Sequence, residues 1–363
     1  MEIKHLYFHF PFCSTVCPYC GFYVTTAARK EIYLVIEALI REVELLSATF
    51  RLNPQTLFIG GGTPSLAKPA EIDRLLAAIP KENVKEITIE ANPRTVTLQK
   101  AVQWKESGIN RVSLGVQSLD EKELLILGRR HKPKDVVDSV NALRKGGIEN
   151  INLDFIFGIP TQSVESFKRS LYRGLELSPK HISLYCLTYE EGTPFFEEMK
   201  KGRFVPDEKK EIEMMEMACE LLADHGFVRY EVSNFALPGY QSLHNKAYWQ
   251  GKDYLGIGPS ACSTVGNKRW SNLNDYIQYV QELKEGRLPI KTMESLDEEL
   301  KKKERLFLAL RTDEGITLGQ GGEEEKRTVE WLVEEGLGYI KENRFILTNR
   351  GFLLADEIAL YFL

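Results

Sequence analysis

Several things are scarce in this chain, and each shortage removes a class of function. No apolar run approaches the roughly 20 residues that a membrane-spanning helix needs, so stable membrane insertion is not expected. The opening Met1-Glu2-Ile3-Lys4-His5 shows no signal peptide and leads directly into a strand-like run. Neither sign of charge is in excess: 47 basic against 52 acidic residues give −5, which is no footprint for nonspecific nucleic-acid binding. Cys186, Cys219 and Cys262 stand singly in apolar contexts and read as small buried residues. What remains is an ordinary globular composition, 43% hydrophobic and 27% charged over 363 residues. That is enough for a sizeable core, in one large domain or in two or three smaller ones.

The other three cysteines fall within eight positions, in Tyr7-Phe8-His9-Phe10-Pro11-Phe12-Cys13-Ser14-Thr15-Val16-Cys17-Pro18-Tyr19-Cys20-Gly21-Phe22, spaced x3 then x2. A 4Fe–4S cluster commonly takes four thiolates, so three leave one iron without a protein ligand. An open metal position is where a cofactor or substrate can bind and react. A zinc knuckle completed by His5 or His9 is the alternative. Zinc sites favour a C-x2-C pair with a second pair well downstream, and none exists here. Three clustered cysteines cannot all pair as disulfides. The spacing resembles the cluster motif of the radical S-adenosylmethionine (SAM) superfamily, in which the methionine amino and carboxylate groups of SAM chelate the fourth iron. Reduced thiols and an iron–sulfur site fit a cytoplasmic protein.

From residue 6 to about 187, β-like runs alternate with longer helical patterns. The runs 6–10, 56–59, 86–89, 111–116, 151–157 and 182–187 read as strands. The segments 31–48, 70–78, 98–107, 134–145 and 164–176 read as helices. Six successive β/α units predict an α/β fold with a parallel sheet and right-handed crossovers, a partial TIM-like (β/α)6 barrel. Polar residues and glycines recur where those strands end, and barrel active sites are built at that face. The ends are the cysteine motif, Gly60-Gly61-Gly62-Thr63-Pro64, Glu90-Ala91-Asn92-Pro93, Gly115-Val116-Gln117-Ser118, Asp154 before Gly158-Ile159-Pro160, and Tyr185-Cys186.

Each of these residues has a plainer explanation. The glycine triplet lacks the Gly-Lys-Ser/Thr ending of a P-loop and can be a tight strand-to-helix turn. Glu90 or Asp154 alone can be a cap, and Arg129-Arg130-His131 can be a solvated helix end favoured by the dipole. Read beside the cysteines, Gly60–Thr63 looks like the superfamily's cradle for the SAM amino group. Glu90, Gln117, Arg129 and Asp154 look like the ring around methionine, ribose and adenine.

After Leu187 the pattern changes. Residues 189–196 read as loop, 207–225 as a helix whose Met214, Met215 and Met217 are core packing, and 227–235 as a strand. Leu243-His244-Asn245-Lys246-Ala247-Tyr248-Trp249 follows, then the turn-rich stretch 254–261. A lone histidine is usually structural, yet His244 is also a possible haem axial ligand, with Tyr248 and Trp249 as a flat apolar wall. Residues 295–310 and 323–335 read as helices, with a hairpin at 339–347 and a last apolar helix. The charge run within 298–304 is a solvated helix face. This resembles a small C-terminal winged-helix-like α+β domain, whose acidic balance favours a structural or partner role over DNA. The expected domains are 1–240 for the radical SAM core, 241–290 for a connecting segment with the histidine motif, and 291–363 for the winged-helix-like unit.

Along its whole length the chain resembles the oxygen-independent coproporphyrinogen III oxidase group of radical SAM proteins. The shared marks run in order: Tyr7, the cysteines, Gly-Gly-Gly-Thr-Pro, Glu90, Gly115-Val116-Gln117, Arg129, and Asp154 before Gly158-Ile159-Pro160. The group contains porphyrinogen dehydrogenases (HemN) and heme chaperones of the HemW type. The dehydrogenases have a fourth cysteine where Phe22 stands and an N-terminal extension where twelve residues precede Cys13. His244-Asn245-x-x-Tyr248-Trp249 matches the motif implicated in heme handling by the chaperones.

The resemblance therefore implies a heme chaperone without coproporphyrinogen dehydrogenase activity. Cys13, Cys17 and Cys20 would hold a 4Fe–4S cluster. Tyr7, Gly61, Gly62, Thr63, Glu90, Gln117, Arg129 and Asp154 would place SAM. His244 would meet heme iron, with Tyr248 and Trp249 lining the site. The implied partners are a heme-acceptor protein and a low-potential electron donor of flavodoxin or ferredoxin type. The rival reading is the dehydrogenase reaction itself, radical SAM oxidative decarboxylation of coproporphyrinogen in porphyrin biosynthesis. A winged-helix DNA regulator with an iron–sulfur sensor is a third, and would show salt-dependent duplex binding.

Overall fold

Alternation of side chains along parallel strands organises the molecule, here described from a computed structural model over residues 1–319 and 322–362. The first half is a βα repeat. β1 (Glu2–Phe10), β2 (Arg51–Gly61), β3 (Glu86–Ala91), β4 (Arg111–Gln117), β5 (Asn150–Phe157) and β6 (His181–Cys186) pair in that order, each parallel to the next. Between them run α1 (Arg29–Ser47), α2 (Pro69–Ala77), α3 (Leu98–Glu106), α4 (Glu121–Ile126), α5 (Pro133–Lys145) and α6 (Val164–Glu176). Local chemistry fixes where the helices begin. Thr97 and Asp120 accept from the first-turn amides of α3 and α4, Ser163 closes a capping box on α6, and Pro69 and Pro133 open α2 and α5.

On β3 to β6 the residues Ile87, Ile89, Val112, Leu114, Ile151, Leu153, Phe155, Ile182 and Leu184 are buried in the main hydrophobic core. Their alternate neighbours are polar and occupy the other face: Glu86, Thr88, Glu90, Arg111, Ser113, Asn152, Asp154, His181 and Ser183. The expected strands and helices of this half are all present, with ends moved by a few residues. α4 was not expected. It is short, and it exists because the Asp120 side chain accepts from both Lys122 N and Glu123 N.

The second half extends the sheet at both edges. α7 (Pro194–Lys200) begins inside the stretch expected to be loop, capped by Thr193. α8 (Glu208–Asp224) follows, and then the expected single strand 227–235 divides into β7 (Val228–Arg229) and β8 (Asn234–Ala236). The division has a cause: the buried Glu231 carboxylate accepts from Ser233 N at 3.0 Å and from the Asn234 amide, folding the chain back on itself. β8 pairs antiparallel with β6.

After α9 (Leu243–Trp249) comes β9 (Leu255–Ile257), parallel to β1, in a stretch that reads as turns. The strand is hidden because Gly256 is needed where the Cys262 backbone crosses it too closely for any Cβ. The nine-stranded sheet thus runs β7-β8-β6-β5-β4-β3-β2-β1-β9. β10 (Cys262–Val265), β11 (Lys268–Asn272) and β12 (Ile290–Ser295) form a small antiparallel sheet, with α10 (Tyr276–Lys284) between the last two. The stretch 241–290 therefore supplies one sheet edge, and β12 crosses the boundary expected at 290/291.

The remainder has its own apolar cluster, built from Leu310, Ile316, Leu332, Phe345 and Phe352. It comprises α11 (Glu298–Ala309), β13 (Ile316–Thr317), α12 (Gly322–Glu334), β14 (Gly338–Lys341), β15 (Arg344–Leu347), α13 (Asn349–Leu353) and α14 (Ala355–Leu360), with sheet order β13-β15-β14. Arg229 of β7 reaches across to it, its guanidinium 4.5 Å from the Phe352 ring centroid.

One buried carboxylate ties α1 to the β9–α10 region. Glu42 accepts from Gly258 N at 2.8 Å, Asn272 Nδ2 at 2.6 Å and Tyr279 OH at 2.5 Å. Burial nevertheless pushes its carboxyl from 4.5 up to about 7, against the pull of those three donors. A folded-state value above the ordinary one means that stability is fullest below 4.5 and falls as pH rises through about 7. The rise corresponds to about 3 kcal/mol. Glu42→Gln removes the titration, so its urea unfolding free energy should fall by less than that of the unmodified protein between pH 4.5 and pH 8. Equal pH slopes for the two proteins would sink this account.

Candidate functional site at the barrel mouth

The carboxyl ends of β1 to β5 converge on one rim, and the cysteine loop closes over it. Thr25 N donates to Pro11 O at 2.8 Å and Cys13 N to Thr25 O at 2.9 Å, so the loop leaves and returns at one point. Within it, Cys20 N donates to Cys17 O at 3.1 Å, which turns the chain between the last two cysteines. All three thiols are unpaired and half-buried. Two donors from other strands reach them: Thr63 Oγ1 to Cys13 Sγ at 3.4 Å, and Arg129 Nη1 to Cys17 Sγ at 3.6 Å. Burial pushes the Cys13 thiol up to about 11 and the Cys20 thiol up as well. Loading a metal on these thiols therefore displaces protons that burial favours. Among the described residues, no three His, Cys, Asp or Glu side chains converge on a single-ion site.

The glycine loop lies directly beneath the cysteines. Gly62 N donates to Phe10 O at 2.7 Å and Thr63 N to Phe12 O at 2.8 Å. A Cβ on Gly62 would sit 2.6 Å from the Phe12 carbonyl oxygen, and Gly61 holds a φ of +104°. Both positions thus need glycine, to keep β2 against the start of the cysteine loop. Gly61 N also donates to Glu90 Oε2 at 3.0 Å, joining this loop to β3.

Around the rim the polar ring is continuous. Burial raises the Glu90 carboxyl to about 8, with the charge of Asp154 adding to the effect. Asp154 is likewise raised by burial, although Ser113 Oγ and Asn152 Nδ2 donate to it at 3.0 and 2.6 Å. The negative charge of Asp154 disfavours ionised Glu90, and a cation beside the pair would favour it. Gln117 ends β4 with a φ of 65° and a buried, unpartnered Oε1. Left-handed backbone at a side chain of this size is strained, and such strain concentrates at functional sites. The next turn is braced from behind: Glu123 accepts from Ser118 Oγ at 2.6 Å, Ser166 Oγ at 2.6 Å and Gln162 Nε2 at 3.0 Å. Arg129 Nη2 donates to Gly115 O at 2.9 Å, which aims the guanidinium at Cys17.

Tyr7 lies deeper on β1. His9 Nε2 is 3.0 Å from Tyr23 O, and a carbonyl only accepts, so Nε2 carries the proton. His9 Nδ1 then accepts from Tyr7 OH at 3.1 Å. Sequence reasoning missed His9 in this role. The inward period of two on β1, His5-x-Tyr7-x-His9, was the available signal.

The structure therefore brings together Tyr7, Cys13, Cys17, Cys20, Gly61, Gly62, Thr63, Glu90, Gln117, Arg129 and Asp154. It does not bring His244 to them. His244 stands on α9 at the opposite end of the strands and is 1% exposed. Glu86, at the start of β3, accepts from Ser242 Oγ, Leu243 N and His244 N and so anchors that helix. Thr56 Oγ1 lies 2.7 Å from His244 Nδ1 and 2.9 Å from His5 Nδ1. A hydroxyl has one proton, so at least one imidazole must donate to it. Burial lowers His244 to about 3, which keeps the ring neutral, and its Nε2 has no partner. Phe58 and Tyr248 flank it at ring centroid distances of 5.2 and 4.9 Å, while Trp249 is half-buried.

Comparisons with known proteins find relatives along the whole chain. The Radical SAM superfamily model matches residues 7–171. The heme chaperone HemW of Bacillus subtilis is 33% identical over 98% of this chain and 98% of its own length. HemW of Lactococcus lactis is 35% identical over 98% of this chain and 96% of its own. A bovine mitochondrial protein described as radical S-adenosyl methionine domain-containing protein 1 is 32% identical over 98% and 83%. The solved structure of coproporphyrinogen III oxidase HemN from Escherichia coli superposes with a TM-score of 0.84 at 25% identity, covering 99% of this chain and 90% of that one.

Gly62→Ala tests the local geometry. The added methyl has to push the Phe12 carbonyl, and with it Cys13, so iron and acid-labile sulfide per chain after anaerobic reconstitution should fall at least about twofold. Unchanged iron content in a folded Gly62→Ala protein would show that the glycine loop does not position the cysteines.

Proposed function

The chain belongs to the radical SAM superfamily and, within it, to the HemW heme chaperones; from that premise we propose that it binds heme and passes it to an acceptor protein. The observation that carries the proposal is kinship along the whole chain with proteins named as heme chaperones. The superfamily implies a 4Fe–4S cluster and SAM, and the residues at the barrel mouth suit both. Cys13, Cys17 and Cys20 would hold the cluster, leaving one iron for SAM. Tyr7, Gly61, Gly62, Thr63, Glu90, Gln117, Arg129 and Asp154 would hold the exchangeable SAM. When bound, the two supply one-electron chemistry.

The chain's own residues have distinct tasks there. Arg129 sets a positive charge beside Cys17 and offsets thiolate repulsion. Gly61 and Gly62 keep the loop packed against the chain that leads into the cysteines, and a sulfonium or an ammonium beside Glu90 and Asp154 would favour their ionised forms. The cysteine loop and Tyr19, which packs on Phe195 at 5.9 Å, limit water at the rim.

For heme, His244 has fitting chemistry: a neutral imidazole whose Nε2 lacks a partner, among aromatic rings. Its burial means that ligation requires α9 to leave Thr56 and Phe58. Tyr248 and Trp249, on the same helix, would line the opened site. The proposed setting is the cytoplasm, with a flavodoxin- or ferredoxin-type donor reducing the cluster. No helix among the described residues is long and apolar enough to cross a membrane.

The fold shared with HemN keeps a second reading alive, oxidative decarboxylation of coproporphyrinogen. Against it stands Phe22, 72% exposed, where the dehydrogenases carry a fourth cysteine. The deciding experiment titrates anaerobically reconstituted protein with heme, followed by absorbance, and assays coproporphyrinogen in parallel. Saturable heme binding, transfer to an acceptor, and affinity lowered about tenfold or more in His244→Ala are expected. Protoporphyrinogen formation above a Cys20→Ala control would overturn the chaperone reading. Unchanged affinity and transfer in His244→Ala would remove only the site assignment.

A further inference from the structure

The turn between α4 and α5 reaches β4 at two successive carbonyls. Arg129 Nη2 donates to Gly115 O at 2.9 Å, and His131 Nε2 lies 3.0 Å from Val116 O. A carbonyl only accepts, so His131 Nε2 carries the proton. The residue is 3% exposed, and burial lowers its imidazole to about 4, so the ring is neutral with a single N–H to give. Its Nδ1 has no hydrogen-bond partner. His131 is therefore an interior group, not part of a solvated helix end, and its one ring hydrogen bond goes to the end of β4.

That carbonyl stands at a break in the sheet. β4 and β5 pair Gly115 with Asp154 and Gln117 with Phe155, so Val116 is the extra residue of a bulge. Ser118 N also donates to Val116 O, at 2.8 Å, across Gln117 with its φ of 65°. A bond from residue i+2 back to residue i around a positive φ is the rare, strained form of the γ-turn. Strain of this kind persists only where the surroundings hold it. Ser118 N and His131 Nε2 fill both lone pairs of Val116 O, and the first of these bonds is the turn itself. Arg129 grips the carbonyl before it and is shared with Cys17, so His131 is the outside donor bonded to the turn carbonyl. At the apex the Gln117 side chain folds back over Gly115, where a Cβ would sit 3.1 Å from Gln117 Nε2 and 3.4 Å from Arg129 Nη2. Its Oε1 is buried without a partner.

We propose that His131 is a positioning residue for the SAM site: its bond to Val116 O holds the γ-turn that presents the Gln117 amide to the cofactor. The proposal rests on the SAM-site reading above, in which Gln117 touches SAM and His131 does not. Loss of the His131 donor leaves Val116 O to Ser118 N alone, and Gln117 can then relax out of the left-handed region. SAM would have to restore the turn as well as fill the site. Its apparent affinity falls with the fraction of molecules in which the turn is formed.

The test measures SAM affinity by equilibrium dialysis on the anaerobically reconstituted full chain, with iron per chain as a control. His131→Phe keeps a ring of similar size and removes the donor. It should weaken SAM binding about fivefold, the scale of one neutral hydrogen bond, with iron content unchanged. Gln117→Ala should weaken binding at least as much. The double variant should bind no worse than Gln117→Ala alone, because the two residues act as one unit. His131→Gln, whose amide nitrogen can reach the same carbonyl, should recover most of the affinity. His131→Leu gives the same comparison if the Phe variant does not fold. Unchanged affinity in the variant without the donor, no recovery in His131→Gln, or a loss that adds in full to that of Gln117→Ala overturns the proposal. Failure of both the Phe and the Leu variants to fold also overturns it, by marking a structural role. If Gln117→Ala binds SAM like the unmodified chain, or the unmodified chain binds none, the SAM-site reading itself fails and the proposal falls with it.

Discussion

Parallel strands send alternate side chains to opposite faces, and in this barrel the inward face is mostly polar. Glu86, Thr88, Glu90, Arg111, Ser113, Asn152, Asp154, His181 and Ser183 share it, where most barrels of this type pack branched apolar residues. Burying such groups costs several kcal/mol for each unmatched charge, and the apolar outer face under the helices has to offset it. The interior is consequently a network: Asn152 alone contacts Ser113, Asp154, Ser183 and His181 at 2.6 to 2.9 Å. Every polar feature at the mouth stands on those inner layers. Changes to them should be felt in cofactor binding before they are felt in the core.

The strand ends were legible from the sequence because each joins a hydrophobic run to a cluster of residues that no core would choose. Gly60-Gly61-Gly62-Thr63, Glu90, Gln117 and Asp154 were therefore found where the structure places them, on the ends of consecutive parallel strands. Arg111 and Glu123 escaped notice, and His9 was weighed only as a zinc ligand. Arg111 and His9 lie inside strands whose apolar half dominates the pattern, and Glu123 looks like the solvated face of a short helix. β9 was missed for a different reason: three residues carry too little periodicity to be read, and what defines the strand is its pairing with β1 some 250 residues earlier. α7 and the β7–β8 turn likewise depend on single caps and one buried carboxylate.

The two candidate sites occupy opposite ends of the barrel. The cysteine loop covers the carboxyl ends, and α9 plugs the amino ends with His244. Between them lie two rings, Tyr7 and Phe58, 6.0 Å apart, with Phe58 a further 5.2 Å from His244. This short aromatic path means that a ring displaced at one end has a neighbour to push at the other. Physical coupling of that kind needs an element with two arrangements, and α9 is the element whose attachments are few enough to count.

Those attachments set what heme would have to overcome. Glu86 accepts three hydrogen bonds at the start of α9, Thr56 holds the His244 ring, Phe58 packs on that ring, Tyr254 packs on Tyr248 at 4.4 Å, and Lys246 pairs with Glu314 at 3.5 Å. Hydrogen bonds to a charged group contribute about 1.5–3 kcal/mol each, so lifting the whole helix is expensive. Turning out the His244 side chain, while Glu86 keeps hold of its backbone, would break the Thr56 contact and the Phe58 packing and leave those three bonds in place. A ligand bound at the expense of such a movement is held less tightly than one entering a preformed pocket, because the closed form competes with it. For a protein proposed to give heme away, that competition would favour release: what heme displaces would return when an acceptor takes it.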